Sequence, residues 1–283
     1  MYPPKFDYYR AGSTAEAVSL AKEHNGKFLA GGHSLIPVMN LRLADPGALV
    51  DIGRLDMKGI SSNGDTVTVG ALTTHAMVAA SGDVPAVLSE AAGMIGDPQV
   101  RNRGTVGGNI AHADPASDLP TVMLALKATI HTEGSSGSRS ISADDFFVDL
   151  FATSLQEDEI ITSVSVASEG KKTGSGYAKL FNPASRYAMV GAAAQVTVEN
   201  GVCSSASVAV GGLTPKATRA SSVEAALVGK KLDDDTLAAA AAAVANDLDD
   251  DVMGDMHASA DYRRQMAPVF VRRALEKAAA RAK

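Results

Sequence analysis

Apolar and polar positions follow two rhythms along the chain, one helical and one strand-like, and their succession predicts the elements. Ser13-Thr-Ala-Glu16 is a capping box, Ala17, Val18, Leu20 and Ala21 form the stripe behind it, and Asn25-Gly26 is a stop. Lys27-Phe-Leu-Ala30 reads as a short buried strand, and residues 35–43 as a helical turn or two. Further strands are expected at 49–52 and 66–70, the second with period-two alternation, separated by turn chemistry at 61–65. Helices are expected at 74–80, 86–94 and 121–128, and strands at 129–131 and 160–166 around an exposed turn at 134–138. The Gly-, Lys- and Ser-rich stretch 168–175 is the best domain boundary. Beyond it, 177–181, 188–198 and 202–211 predict an antiparallel meander, its last hairpin turning at Asn200-Gly201. Three helices follow: one capped by Ser221 and stopping at Gly229, an alanine-rich one at 236–248, and a long one at 261–282 containing Pro268.

Composition narrows the function classes. The 283 residues, 46% of them apolar, suffice for two or three subdomains with cores of their own. No apolar run reaches the roughly 18 residues of a membrane span, and the N-terminal decapeptide lacks the apolar core of a signal peptide, so a cytoplasmic chain is expected. A formal charge of −6 without a basic stripe gives no electrostatic reason for nucleic-acid binding. Cys203 is the only cysteine, which excludes an intrachain disulfide, a Cys-type zinc site and an iron–sulfur cluster held by this chain alone. His24, His33, His75, His112, His131 and His257 lack the i, i+4 spacing of a helical metal pair, and surface or capping roles are expected. Redox chemistry, if present, needs a bound organic cofactor.

Two glycine-rich segments carry the candidate chemistry: Leu29-Ala-Gly-Gly-His-Ser-Leu-Ile36 and Gly104-Thr-Val-Gly-Gly-Asn-Ile110. Glycine has no Cβ to hold a phosphate away and tolerates positive φ, so successive N–H groups can converge into an anion-binding nest. Two such loops with hydroxyl and amide side chains predict one poly-anionic ligand, such as a dinucleotide pyrophosphate, held between them. Neither is a Rossmann fingerprint, since no Gly-x-Gly-x-x-Gly occurs, and neither is a P-loop. Asp118 has two readings, an N-cap for the helix that follows or an acceptor for ribose or adenine, and its spacing favours the cap.

Ala30-Gly-Gly-His-Ser-Leu-Ile-Pro37, Asp97-Pro-Gln-Val-Arg101, Gly104-Thr-Val-Gly-Gly-Asn109, Asp114-Pro115, Ser117-Asp-Leu-Pro120, Tyr262-Arg and Arg272-Arg273 occur together in this order. With them the chain resembles, over nearly its whole length, the flavoprotein subunit of molybdenum hydroxylases, most closely the medium subunit of aerobic carbon monoxide dehydrogenase. The first and third motifs are the specific ones. The resemblance implies an α+β protein with the FAD-binding fold of the p-cresol methylhydroxylase and vanillyl-alcohol oxidase type: FAD-binding subdomains at 1–54 and 55–170, then an antiparallel sheet with helices at 171–283. It implies non-covalent FAD in this chain, a large partner subunit with a molybdenum–pterin cofactor, a small one with two [2Fe-2S] clusters, and a dimer of such heterotrimers. Peripheral attachment of the assembly at the inner face of the membrane stays open.

Carried over position by position, Leu29, Ala30, Gly31, Gly32, His33, Ser34, Leu35 and Ile36, with Thr105, Gly107, Gly108 and Asn109, would line the pyrophosphate chiefly through backbone N–H groups. Ser34, Thr105 and Asn109 would add side-chain donors. Asp118 matches a position on the adenosine side, and Ile95, Ala111 and Ile161 match positions packed on flavin or adenine. Lys179 matches a lysine near the flavin, where a cation favours the anionic reduced ring. Tyr187 matches a tyrosine covering part of the isoalloxazine; without the family it is simply a strand aromatic. The residues before it, 182–186, vary among relatives, which leaves the electron acceptor open.

The implied function is electron transfer: electrons pass from a neighbouring iron–sulfur cluster through FAD to an external acceptor, while carbon monoxide and water become carbon dioxide at molybdenum in another chain. No catalytic residue and no metal ligand is expected here. Sibling assemblies oxidising an aldehyde, a purine or an N-heterocycle share the same subunit type. A scaffold that has lost FAD is opposed by the intact Gly31-Gly32 and Gly107-Gly108, and a stand-alone flavin reductase or oxidase by the short C-terminal domain.

Overall fold

The computed structural model describes residues 2–248 and 250–282. The chain opens with β1 (Asp7–Arg10), α1 (Thr14–His24), β2 (Lys27–Leu29), α2 (Leu35–Asn40) and β3 (Ala48–Asp51). The three strands form a parallel sheet in the order β1-β3-β2. Ser13 caps α1 through the Glu16 N–H, and Asn25 ends it in the left-handed region at φ 46°. Glu16 departs from the usual box, its carboxylate taking the Gly12 N–H at 2.7 Å. Ala17, Val18 and Ala21 of α1 pack with Val50 and Ile52, which fixes the sheet's inner face.

The second unit runs through β4 (Ile60–Asn63), β5 (Thr66–Gly70), α3 (His75–Ala79), α4 (Ala86–Met94), α5 (Pro98–Arg103), α6 (Val106–His112) and α7 (Asp118–Ala125). It continues through β6 (Thr129–Gly134), β7 (Gly137–Ser142), α8 (Ala143–Phe146), β8 (Phe147–Asp149), β9 (Ala152–Thr153) and β10 (Ile160–Ala167). Its main sheet is antiparallel, in the order β4-β5-β10-β6-β7, with the helices packed over Val67, Val69, Ile130 and Val164. Several expectations shift here. Residues 61–63 and 137–138 belong to strands, because each polar stretch is an edge hairpin with one solvated face. Helix α5 was not expected, and α7 starts at Asp118 and ends at Ala125, earlier than the periodicity suggested.

The last unit is β11 (Thr173–Phe181), β12 (Ala188–Glu199), β13 (Val202–Gly211), β14 (Thr218–Arg219), α9 (Ser221–Leu227), α10 (Asp234–Ala242) with a 3-10 turn at Ala243–Asp247, and α11 (Ala260–Arg281). The strands follow in sequence order, each antiparallel to the last. Strand β11 begins inside the stretch read as a boundary. Ser221 is the first helical residue of α9, and Ala220 holds the cap position. Alanine and glycine let α11 lie close on the sheet: a Cβ at Gly176 would stand 2.8 Å from the Ala274 carbonyl oxygen, and one at Gly174 would collide with that of Ala278. Among the described residues no helix is long and apolar enough to cross a membrane, and no group of His, Cys, Asp and Glu could hold a metal ion.

Candidate functional site

The two glycine segments meet. β2 delivers the first and α5 the second, and they lie side by side: a Cβ on Gly31 would collide with the Arg103 carbonyl oxygen and stand 3.1 Å from the Gly104 Cα. A Cβ on Gly108 would stand 3.8 Å from the Ala30 Cβ. The Asp97-Pro-Gln-Val-Arg101 motif explains how the second segment is aimed. Asp97 caps α5 through the Val100 N–H (2.9 Å), Pro98 starts the helix, and Arg101 Nη1 reaches back to the carbonyls of Ile95 and Gly96, both at 3.0 Å.

The first segment has the geometry of a close-approach loop. Gly32 sits at φ +74°, flanked by the side chains of Leu29 and Ile36. Ser34 occupies the cap position of α2 without making a side-chain cap, and the Ile36 N–H closes onto the Gly32 carbonyl at 3.1 Å. His33 is exposed, its Nδ1 3.0 Å from the Gly31 oxygen, and the other residues from Leu29 to Ile36 are half-buried.

The second segment corrects the expectation of a nest. Gly107, Gly108 and Asn109 lie in α6, which Thr105 caps, and their N–H groups are already used. Gly107 donates to the Ala71 carbonyl (2.8 Å), Gly108 to the Thr105 Oγ1 (3.3 Å) and Asn109 to the Thr105 carbonyl (3.0 Å). Gly107 is glycine because its Cβ would stand 2.6 Å from that of Ala71. What this segment offers a ligand is surface. Gly108 and Ala111 are exposed, three residues apart on one helix face. The Asn109 Oδ1 accepts from the Ser117 hydroxyl at 2.7 Å, turning the donating end of the amide away from Ser117.

Asp118 and Lys179 are also corrected. Asp118 is the first residue of α7, not its cap, and is 4% exposed. Its carboxylate accepts from the Tyr177 hydroxyl at 2.6 Å and pairs with Lys179 Nζ at 2.9 Å. Burial pushes the Asp118 carboxyl up, against the pull of Lys179 and Tyr177. The ammonium donates also to the carbonyls of Met94 (3.0 Å) and Arg186 (2.8 Å), so its three N–H groups are spent within the protein. Asp118 and Lys179 therefore form one internally paired unit, which leaves Lys179 no free N–H for a ligand.

Ile95 and Ile161 are buried in one core cluster, Ile95 at the end of α4 and Ile161 on β10. Tyr187 is 45% exposed in the loop between β11 and β12. Burial, then the charges of Asp114 and Asp118, raise its hydroxyl above the usual tyrosine range. His75 was missed. It is 2% exposed, its Nδ1 has no partner, and its ring lies under Gly104, whose Cβ would stand 2.7 Å from the imidazole Cδ2. Burial, with His33 adding to it, pushes its pKa down to about 4. Only Thr74, which caps α3 directly before it, marks the position in the sequence.

Two of these features fit a dinucleotide lying along the junction: a left-handed glycine in the first loop and an exposed helical glycine beside it.

The family described as "FAD binding domain in molybdopterin dehydrogenase" matches residues 4–168, and that described as "CO dehydrogenase flavoprotein C-terminal domain" matches 175–278. The carbon monoxide dehydrogenase medium chain of Hydrogenophaga pseudoflava is 39% identical over 99% of both chains. Subunit alpha of the 6-hydroxypseudooxynicotine dehydrogenase complex of Paenarthrobacter nicotinovorans is 38% identical over 100% of this chain and 97% of that one. Among solved structures, a chain of the carbon monoxide dehydrogenase from Hydrogenophaga pseudoflava, in a form lacking the Mo-pyranopterin moiety, superposes with a TM-score of 0.95 at 39% identity, covering 100% of both chains. The chain belongs to the family of FAD-binding subunits of the molybdopterin dehydrogenases, oxidoreductases with an α+β flavoprotein fold.

Proposed function

We propose that this chain is the FAD-carrying electron-transfer subunit of an aerobic carbon monoxide dehydrogenase, assembled with a large molybdenum subunit and a small iron–sulfur subunit as a dimer of heterotrimers. The observation that carries it is the convergence of the two glycine segments within a chain that aligns end to end with a carbon monoxide dehydrogenase medium chain. Leu29 to Ile36 supply backbone at close approach to the pyrophosphate. Gly108, Asn109 and Ala111 present the opposing helix face, with Thr105 and Gly107 holding that helix in place. Ile95, Ile161 and Tyr187 shape the flavin end. Bound FAD supplies an acceptor for electrons arriving from an iron–sulfur cluster and a donor to an external acceptor. The chain's own part is to bind and orient it.

The relative named for 6-hydroxypseudooxynicotine is as similar as the one named for carbon monoxide, 38% against 39%. That supports a second reading, the same subunit in an assembly that oxidises an N-heterocycle or an aldehyde. Co-expression with the neighbouring genes, followed by assay of FAD, iron and molybdenum on the separated subunits, tests the shared reading. Flavin on this chain, with iron and molybdenum on its partners, is expected. Carbon monoxide should then bleach the flavin of the assembly; bleaching by a heterocycle or aldehyde but not by carbon monoxide selects the second reading, and a chain that takes up no FAD sinks both.

A further inference from the structure

One ammonium group holds two segments from different units of the fold. Lys179, on β11, has a side chain only 1% exposed, and its Nζ donates to the carbonyls of Met94, at the end of α4, and Arg186, in the loop between β11 and β12. Met94 directly precedes Ile95, and Arg186 directly precedes Tyr187. Asp118, from a third element, fixes the ammonium and is itself held by Tyr177, two residues before Lys179 on the same strand. Arg101 also binds the Ile95 carbonyl and the Asn182 N–H the Tyr187 carbonyl, so each segment is held locally, and the lysine bonds to both. Arg186 is left-handed at φ 62°, which turns the chain so that its carbonyl points in while Tyr187 stays 45% exposed.

We propose that Lys179 is a positioning residue, a clamp whose two carbonyl contacts set the gap between Ile95 and Tyr187 in which the flavin ring lies. This rests on the FAD reading above, and it replaces direct contact of the lysine with the flavin by action through backbone. A buried charged donor on two carbonyls fixes both at hydrogen-bond length, so the slot is shaped before the ring arrives. Under this proposal Asp118 and Lys179 both serve the flavin end, and the pyrophosphate and adenosine contacts, assigned to the glycine segments, depend on neither.

The test compares FAD with ADP, which shares the pyrophosphate and adenosine but has no flavin ring. The variant is Lys179→Met/Asp118→Asn, which keeps side-chain length, leaves no buried charge unpaired and retains an acceptor for Tyr177. Titration of the flavin-free full chain should show FAD affinity falling about tenfold while ADP affinity changes by less than about twofold. The fluorescence of bound flavin should rise as stacking on Tyr187 loosens. Equal losses for both ligands would mean a purely structural role, and no loss for either would mean no role; each overturns the clamp. A wild-type chain that binds ADP but not FAD fails the functional reading itself, and the inference with it. Amide exchange on the wild-type chain gives a second measure that needs no variant. FAD, and not ADP, should slow exchange in both 93–97 and 183–188, and protection of one segment without the other contradicts a shared clamp.

Discussion

The two glycine segments look alike in sequence and are built differently. In the first, Gly32 takes a left-handed conformation in a half-buried loop that leads into α2. In the second, Gly107 and Gly108 are helical and their N–H groups are committed to Ala71 and Thr105. Each segment nonetheless divides the labour within its Gly-Gly pair. Gly31 and Gly107 are glycine because neighbouring protein occupies the place of a Cβ, whereas Gly32 is half-buried and needs its positive φ, and Gly108 is exposed, with a Cβ there crowding only the Thr105 hydroxyl. A Gly-Gly step therefore signals close approach without saying whether the approaching group is ligand or protein.

The largest effect should come from the packing glycine of the first segment. Gly31→Val puts a branched side chain against the Arg103 backbone and should cost about 3 kcal/mol in urea unfolding and abolish FAD binding. Wild-type stability in that variant would mean that the two segments do not touch in solution.

Acid should separate the segments next. His75 is buried neutral beneath Gly104 with a pKa of about 4, against 6.5 in an unfolded chain. Its folded-state value is depressed, so its contribution is complete above pH 6.5 and is lost as pH falls towards 4, amounting to about 3 kcal/mol below that window. His75→Asn should lose this part of the pH dependence. Equal slopes for the variant and wild type between pH 6.5 and 4 would place the imidazole in water.

The second glycine of each pair should give smaller and more selective effects. Gly32→Ala forces a Cβ into φ +74° and within 3.2 Å of the Ile36 side chain; about 1 kcal/mol of stability and most of the FAD affinity should go. Gly108→Ala gains about 1 kcal/mol of helix propensity and loses a similar amount by crowding the Thr105 cap, so its melting temperature should barely move. Its FAD affinity should still fall, because the new methyl group stands on the exposed face. Unchanged affinity would reduce the second segment to a packing element and leave the first to bind alone.

Much of this was legible in the sequence where the signal is local. Ser13 caps α1 through the N–H three residues on, and Asn200-Gly201, at φ 52° and 80°, makes the turn its residues demand, whereas Asp97 and Thr105 cap α5 and α6, two helices that were not expected. The family motifs identified the cofactor without any geometry. What failed was longer in range. Asp118 read as a cap or a ribose ligand because its partner lies 61 residues away on β11. Lys179 read as a cation near the flavin because the two carbonyls that use it up come from separate units of the fold. His75 read as a surface or capping residue because nothing beside it in the chain announces that Gly104 will cover it. Caps, turns and strand rhythm depend on neighbours a few residues away, so the sequence by itself determined most of the elements and the kind of ligand. Burial and the pairing of charges depend on which elements meet, so only the tertiary structure decided which donors and charges remain for that ligand.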